Sequence, residues 1–483
     1  MDQVLPPTVW PIGLLVACLT LEAGALHLGV DDLDEGYFVQ QGARVLHGQV
    51  PFRDFFTLYT PGLAYVHAAL FTVAGRPSLE AARALSLAAR TGLAVLLFAL
   101  ARPFVRSTFP GVLWAAIPGL LLLIGLDDAP VRWEPHPGWL STMFAVVCVW
   151  CLTHRPSVGW LLVAGASAGL SYAFKQNAGL FILAAILVWT WFASSEPLAG
   201  QRRTVWTCVT ACLVPVAAFA GVTLVWLVPL LLSLHDDISG LGSLVGAVNQ
   251  SSLFAPPEPT LVIPLAAVGG GVWLLRRDSQ RTLRWYLLAG LAVFATEFPR
   301  MDTLHLAWSA PVLLVVGAIA LSRLPWPFTV AALVGAMLLL APTWTDRLAY
   351  LGQPFAPVAD TTIVAPAQTA ADLNGLVADI QQRTQPGEPI FVYPTSPLVY
   401  VLAERPNPTR FDHLNPGAAS PEQLDQVLAD LQHSGTRLVV ISDFWESVWG
   451  PAADNALLED WIATHYTEVA RHGAYRVLMA SGL

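Results

Sequence analysis

The chain has 483 residues, 55% of them hydrophobic and 12% charged, with a formal net charge of −9 and a mean hydropathy of +0.57. Soluble domains carry about 25% charged residues, so half that fraction together with long apolar runs excludes an ordinary soluble enzyme, and the negative balance leaves no nucleic-acid footprint. The pattern is that of an all-α polytopic membrane protein. A span needs roughly 20 apolar residues, and its backbone must be satisfied internally; the short alternating segments of a membrane β-barrel are absent.

The N-terminal stretch "MDQVLPPTVWPIG" has no Lys or Arg, which argues against a cleaved signal peptide and for a retained first span at 8–28. Directly after it, "VDDLDEGYFVQQGARVLHGQVPFRDFF" (30–56) crowds Asp31, Asp32, Asp34 and Glu35 into five residues at the membrane edge. A shorter run at 61–75 is ambiguous. Further apolar runs lie at 79–101, 108–126, 138–153, 158–174, 178–195, 204–233, 260–275, 285–298, 304–321 and 326–343. Arginine bias orders them. If 61–75 does not cross completely, Arg102, Arg106, Arg155, Arg202, Arg203, Arg276, Arg277, Arg281, Arg284 and Arg323 share the cytoplasmic side. The acidic and histidine-bearing turns then share the other. The expectation is about eleven crossings, rising to thirteen if a split helix is hidden, with 61–75 re-entrant or interfacial.

Beyond 345 charge returns and the long apolar runs stop. "AADLNGLVADIQQRTQ" and "SPEQLDQVLADLQHSG" have helical spacing, and Ser420 before Pro421 and Glu422 marks a helix start. "PIFVYP", "RLVVIS" and "YRVLMA" read as short buried strands. The domains expected are therefore a membrane part at 1–345, with its first external loop at 29–60, and a small α/β extracytoplasmic domain at 346–483. The five cysteines (Cys18, Cys148, Cys151, Cys208 and Cys212) all fall in apolar runs, so no disulfide framework is implied, and Cys148-x-x-Cys151 reads as packing. "VGGGVW" lies inside a span and reads as close helix packing, not as a nucleotide loop.

Polar groups converge on the external face. The first loop offers Asp31, Asp32, Asp34, Glu35, Tyr37, Arg44, Arg53 and Asp54. The turn at 127–137 offers Asp127, Asp128, Arg132, Glu134 and His136. A tight turn holds Lys175, the only lysine in the chain, with Gln176 and Asn177. The turn at 299–305 offers Arg300, Asp302 and His305. Ionisable residues at membrane depth usually mark function. A carboxylate in a confined cleft can take a proton from a hydroxyl. Arg, Lys and His can hold a phosphate and stabilise its charge as it leaves. That combination suits transfer from a lipid-linked phosphate donor to an acceptor hydroxyl. No cofactor is demanded, and no metal ligands are assigned. Asp32-x-Asp34 mimics a metal-binding pair without the nucleotide-binding sheet such pairs require, and a divalent cation stays open.

"DEGYFVQQGARVLHGQVPFRDFFTLYTPG" resembles the first external loop of GT-C-fold glycosyltransferases of the protein O-mannosyltransferase and lipid A aminoarabinose transferase group (glycosyltransferase family 39-like). "RWEPHPGW", "FKQNAG" and "FPRMDTLH" resemble that group's later polar turns, and the likeness covers roughly 8–345. The resemblance implies a GT-C-like bundle that moves a sugar from a polyprenyl-phosphate donor to an acceptor hydroxyl, commonly with inversion. It implies Asp34 as the base, supported by Glu35. Glu134 would be the second-loop acid, a position that is commonly Asp in the group, so Asp127 or Asp128 could serve instead. Lys175, Arg300 and His305 are then the expected phosphate ligands, and Tyr37, Asp128, His136 and Asp302 the candidate acceptor or sugar contacts. The partners expected are the lipid-linked sugar, the bilayer and an acceptor that is protein, lipid or glycan, in a prokaryotic inner membrane. The rival readings are a non-catalytic binder of lipid-linked glycans and a secondary transporter; the latter predicts midplane charges and an inverted repeat.

Overall fold

The computed structural model describes residues 9–106, 108–124, 135–154, 157–193, 205–234, 258–277, 280–298, 301–414, 419–444 and 455–481. Every apolar run read from the sequence forms helix: α1 (Val9–Ala25), then, after α2 (Asp34–Leu46) and α3 (Gly62–Ala74), α4 (Leu79–Ala101), α5 (Phe109–Ile124), α6 (Pro137–Cys151), α7 (Val158–Phe174), α8 (Gln176–Ala193), α9 (Val205–Leu234), α10 (Val262–Arg277), α11 (Arg281–Phe294), α12 (Thr303–Ser309), α13 (Pro311–Leu321) and α14 (Trp326–Leu351). Among the described residues, four helices are long and apolar enough to cross a membrane by length and composition, and the other apolar helices are shorter.

The run at 304–321 is not one straight helix. It breaks between α12 and α13, whose axes differ by 82°, where Pro311 cannot donate the N–H that would continue the ladder. The ambiguous segment is α3, with 13 residues. At 1.5 Å per residue it is about 20 Å long, well under the ~30 Å of hydrocarbon. It lies against α2, where a β-carbon at Gly42 would overlap His67.

The bundle core is formed by α4, α6, α7, α11 and α13 around Leu93, Leu97, Trp139, Val146, Trp285, Tyr286 and Val315. The outer helices α9 and α14 expose Trp206, Val225, Leu232, Met337 and Leu338, each about 70% or more exposed. Water would not tolerate such a belt, and lipid would. The triple-glycine segment packs as expected, since a β-carbon at Gly271 would strike Leu287 and Val316. Cys148 donates its S–H to backbone oxygens of Phe144 and Ala164, a packing role.

Helix α14 continues past 345 to Leu351, and the C-terminal α/β region follows it. It opens with a hairpin, β1 (Phe355–Pro357) and β2 (Val364–Pro366), and α15 (Ala367–Arg383). Then come β3 (Ile390–Tyr393), α16 (Leu398–Ala403), α17 (Pro421–Ser434), β4 (Leu438–Ser442), α18 (Ala456–His465), β5 (Tyr466–His472) and β6 (Tyr475–Ala480). The sheet order is β3-β4-β6-β5, with β3 and β4 parallel and the other pairs antiparallel. Helix α17 starts after Ser420 as expected, Ser420 forms a capping box with Gln423, and Gly435 closes the helix at φ 61°.

The domain sits on the first loop. β2 bridges to Leu28, Arg44 of α2 pairs with buried Asp412 at 2.8 Å, and a β-carbon at Gly36 would overlap the Leu398 backbone. At the opposite end of the bundle Arg323 donates to the Phe104 carbonyl. The arginine-rich turns around 102 and 323 therefore lie together, away from the first loop and the C-terminal domain.

Candidate active site

The four crowded carboxylates avoid mutual repulsion by pointing to different partners. Asp31 Oδ1 accepts the N–H groups of Leu33 and Asp34 at 3.0 and 3.3 Å, at the entry to α2. Asp32 Oδ2 accepts from Ser396 Oγ (2.7 Å) and Tyr475 Oη (2.8 Å) of the C-terminal domain, and burial beside that carboxylate pushes the Tyr475 hydroxyl pKa up. Glu35 turns inward onto Arg83 of α4, at 2.5 and 2.7 Å. Arg83 also donates to the carbonyls of Leu26, Leu28 and Gly29, so all five of its N–H donors are used. The expectation that Glu35 shares the chemistry does not fit this placement: its carboxylate is 1% exposed and both oxygens are held by Arg83. Asp34 is the half-buried first residue of α2.

One turn on from Asp34, on the same face of α2, stands Phe38. The rise per residue separates their backbones by roughly 6 Å. Phe38 meets His136 edge-on at 5.1 Å and Tyr59 at 5.7 Å. His136 caps α6, with Nδ1 accepting the Gly138 N–H at 2.9 Å. In the neutral ring the proton is then on Nε2, which donates to Tyr59 Oη at 3.3 Å. The imidazole stacks flat on Trp308, centroids 3.7 Å apart and planes 5° apart. Only glycine at 138 allows this, because a β-carbon there would collide with the indole.

Trp308 is the hub of the cluster. His305 meets it edge-on at 5.2 Å, and the Lys175 ammonium lies 5.2 Å from its ring. Its indole Nε1–H is buried with no hydrogen-bond partner among the described residues, a donor that a substrate oxygen would satisfy. Asp302 caps α12 and accepts from His305 twice, from the backbone N–H at 3.0 Å and at Nδ1 at 2.6 Å.

Lys175 is a single extended residue between α7 and α8. Its Nζ donates to Glu297 Oε1 at 2.5 Å, both side chains being 6% exposed. Each residue of the Lys-Gln-Asn turn has its own partner. Gln176 joins Leu58 and Thr60 of the first loop, and Asn177 donates to the Thr296 carbonyl at 2.6 Å. Lys175 retains two N–H donors with no partner among the described residues, so it is neutralised by Glu297 yet able to bind an oxygen.

Lys175, His136, Asp302 and His305 thus meet in one cluster that Phe38 links to the Asp34 turn. Tyr37 stands beside it: its hydroxyl accepts the Leu58 N–H at 3.2 Å, and burial pushes its pKa up. Glu134, Asp128 and Arg300 lie outside the described residues, as do Asp127 and Arg132. Sequence reasoning missed Glu297 and the roles of Phe38, Tyr59 and Trp308. It also passed over Arg83 and Arg90, of which Arg90 pairs with Glu22 at 3.5 Å. The overlooked signal was a charge inside an apolar run, at 83, 90 and 297. Among the described residues no group of three or more His, Cys, Asp or Glu could hold a metal ion.

A bundle of apolar helices, a polar cluster at one end and a C-terminal α/β region packed on the first loop define a membrane protein of GT-C fold. The fold is shared over nearly the whole chain with ArnT from Cupriavidus metallidurans. With undecaprenyl phosphate bound, that structure gives a TM-score of 0.64 at 14% identity and covers 99% of each chain; in the apo state it gives 0.63 at 15% and 98%. It is shared also with the oligosaccharyltransferase AglB from Archaeoglobus fulgidus, solved with an inhibitory peptide and a dolichol-phosphate (TM-score 0.55, 14% identity, 98% of this chain and 74% of that chain). No protein-family profile and no curated protein matches the sequence.

Proposed function

We propose that this protein is an integral-membrane glycosyltransferase that moves a sugar from a polyprenyl-phosphate donor to an acceptor hydroxyl on the extracytoplasmic side. The observation that carries the reading is the convergence of α2, α6, the Lys175 turn and α12 on one cluster beside Asp34, within a fold that solved enzymes of lipid-phosphate binding share end to end. An apolar groove of about 470 Å³ is lined by Tyr65, Val66, Trp226, Pro229 and Phe174, the residue before Lys175 in the chain, and suits a polyprenyl chain.

In this reading Asp34 takes the acceptor proton as the acceptor oxygen attacks the anomeric carbon. The bond from that carbon to the phosphate oxygen breaks, and its electron pair leaves with the polyprenyl phosphate. Attack opposite the leaving group inverts the anomeric centre. The two spare donors of Lys175, together with His305 and Arg300, would stabilise the charge gathering on the phosphate. Glu134 or its neighbours Asp127 and Asp128 would orient the acceptor. Tyr37, His136 and Asp302 would line the sugar, and Glu35 would position α2 through Arg83. A divalent cation on the Asp32–Asp34 side belongs to the same proposal and is tested by chelation.

The test is incubation of the purified protein in lipid nanodiscs with radiolabelled polyprenyl-phosphate sugars and an envelope extract as acceptor. Label should leave the lipid fraction and enter an acceptor. A donor that binds and is never consumed would make the protein a non-catalytic binder of lipid-linked glycans.

A further inference from the structure

The first turn of α2, which carries Asp34, is held from two sides. Glu35 ties it to Arg83 of the bundle. Asp32 ties it to the C-terminal region through a single oxygen, Oδ2, which accepts from Ser396 Oγ at 2.7 Å and from Tyr475 Oη at 2.8 Å. The Asp32 carbonyl also accepts the Leu398 N–H at 3.4 Å. The two hydroxyls stand 364 and 443 positions along the chain from Asp32, yet one sheet presents both. Ser396 lies just past β3 and is 0% exposed. Tyr475 opens β6 and pairs with Ser442 of β4.

Helix geometry aims this contact at Asp34. Gly36 is two positions on, about 200° round the helix, and a β-carbon there would overlap the Leu398 backbone. The face of α2 opposite Asp34 is therefore pressed on the start of α16. The first N–H groups of a helix have no intrahelical partners, and Leu33 at the N-cap supplies no side-chain cap. Other ties to the C-terminal region grip elsewhere. Gly29 donates to the Val364 carbonyl before the helix, and Arg44 meets Asp412 about 15 Å along it from Asp34.

The chemistry of the contact is directional. Both donors are neutral hydroxyls, and hydrogen bonds from hydroxyls to a carboxylate are short and about twice as strong as neutral ones. Because both converge on one oxygen, they fix where that oxygen lies. An amide oxygen in the same place could accept both, whereas a methyl group could accept neither.

We propose that Asp32 is a positioning residue for sugar transfer: through Ser396 and Tyr475, the C-terminal region sets the placement of Asp34. The inference rests on the transferase reading and adds a segment remote in sequence to the parts that aim the base.

The test is a variant series of the full chain in nanodiscs, read at saturating radiolabelled polyprenyl-phosphate sugar. Donor binding and unfolding temperature are measured on the same samples. Asp32→Ala should slow transfer per folded molecule about 10–100-fold at unchanged donor binding, because a misplacement of about 1 Å can cost about 10²-fold. Asp32→Asn should stay within about threefold of wild type, since its amide oxygen accepts both hydroxyls. Tyr475→Phe removes one donor and should slow transfer about fivefold. The double variant Asp32→Ala/Tyr475→Phe should be no slower than Asp32→Ala, as expected of two residues that act through one contact. Should Asp32→Ala not fold, Asp32→Asn and Tyr475→Phe decide the matter. Variants that lower the unfolding temperature yet transfer at the wild-type rate per folded molecule would make the contact structural only and overturn the proposal. Asp32→Asn as slow as Asp32→Ala would make the carboxylate charge the requirement, as for a cation ligand, and overturn it too. A wild type that consumes no donor defeats the transferase reading and the positioning role together, whereas an active wild type with unaffected variants defeats the positioning role alone.

Discussion

Arg83 and Lys175 are both buried cations at the same end of the bundle, each on a glutamate, yet they are used differently. Arg83 spends every donor on Glu35 and on the carbonyls of the segment joining α1 to α2. Nothing is left over, and the first loop is anchored. Lys175 spends one donor on Glu297 and faces Trp308 and Tyr59 with the rest. A saturated cation fixes a backbone, whereas an unsaturated one at the centre of an aromatic cluster can meet a substrate.

The anchor should be the costlier to break. Arg83→Met leaves Glu35 buried and unpaired together with three orphaned carbonyls, and should lower stability by about 3–5 kcal/mol, read by thermal unfolding in nanodiscs. Loss below 1 kcal/mol would erase the distinction drawn above. Lys175→Met should cost about 3 kcal/mol by stranding Glu297. The double variant Lys175→Met/Glu297→Gln should recover most of that stability and none of the sugar transfer. Recovery of both would make the pair another anchor.

The interface between first loop and C-terminal domain should respond to pH. His413, hydrogen-bonded to Thr395 at 3.0 Å and 6.2 Å from the Tyr37 ring, has its pKa lowered by burial from 6.5 to about 4. The unfolded chain therefore takes up a proton that the folded one refuses. The stability this side chain contributes is complete above pH 6.5 and is lost as pH falls toward 4, by up to about 1.4 kcal/mol per pH unit. The unfolding temperature measured across that window should fall on acidification, and less so in His413→Gln. The smallest effect belongs to Trp308→Leu, which removes the His136 stack and the Lys175 ring contact. About 1 kcal/mol of transition-state stabilisation should go, seen as a few-fold drop in transfer per folded molecule, while loss of the buried indole also lowers the unfolding temperature.

Much of this was legible from residues alone. The apolar runs, the short α3, the three core strands and the helix start at Ser420 follow from local pattern, because periodicity and cap chemistry are short-range. The polar turns carrying His136, Lys175 and His305 were legible as membrane-depth charges. Partner choice was not. Glu35 finds Arg83 48 positions away and Lys175 finds Glu297 122 positions away, and nothing in the loop sequence separates Asp34 from Glu35. Strand β5 was missed because only its first residue is buried and most of the rest are polar, and the end of α14 because a helix leaving the bilayer need not stop where hydropathy does.

The account turns on Asp34, and Asp34→Asn changes almost nothing but its ability to take a proton. Donor binding and sugar release should be measured on the same nanodisc sample for wild type and variant. The prediction is equal binding of the polyprenyl-phosphate sugar, unchanged unfolding temperature, and release slowed by about 10²–10⁴-fold. Release at the wild-type rate with the helix intact would show that the proton goes elsewhere and that the cluster beside α2 is not the reaction centre.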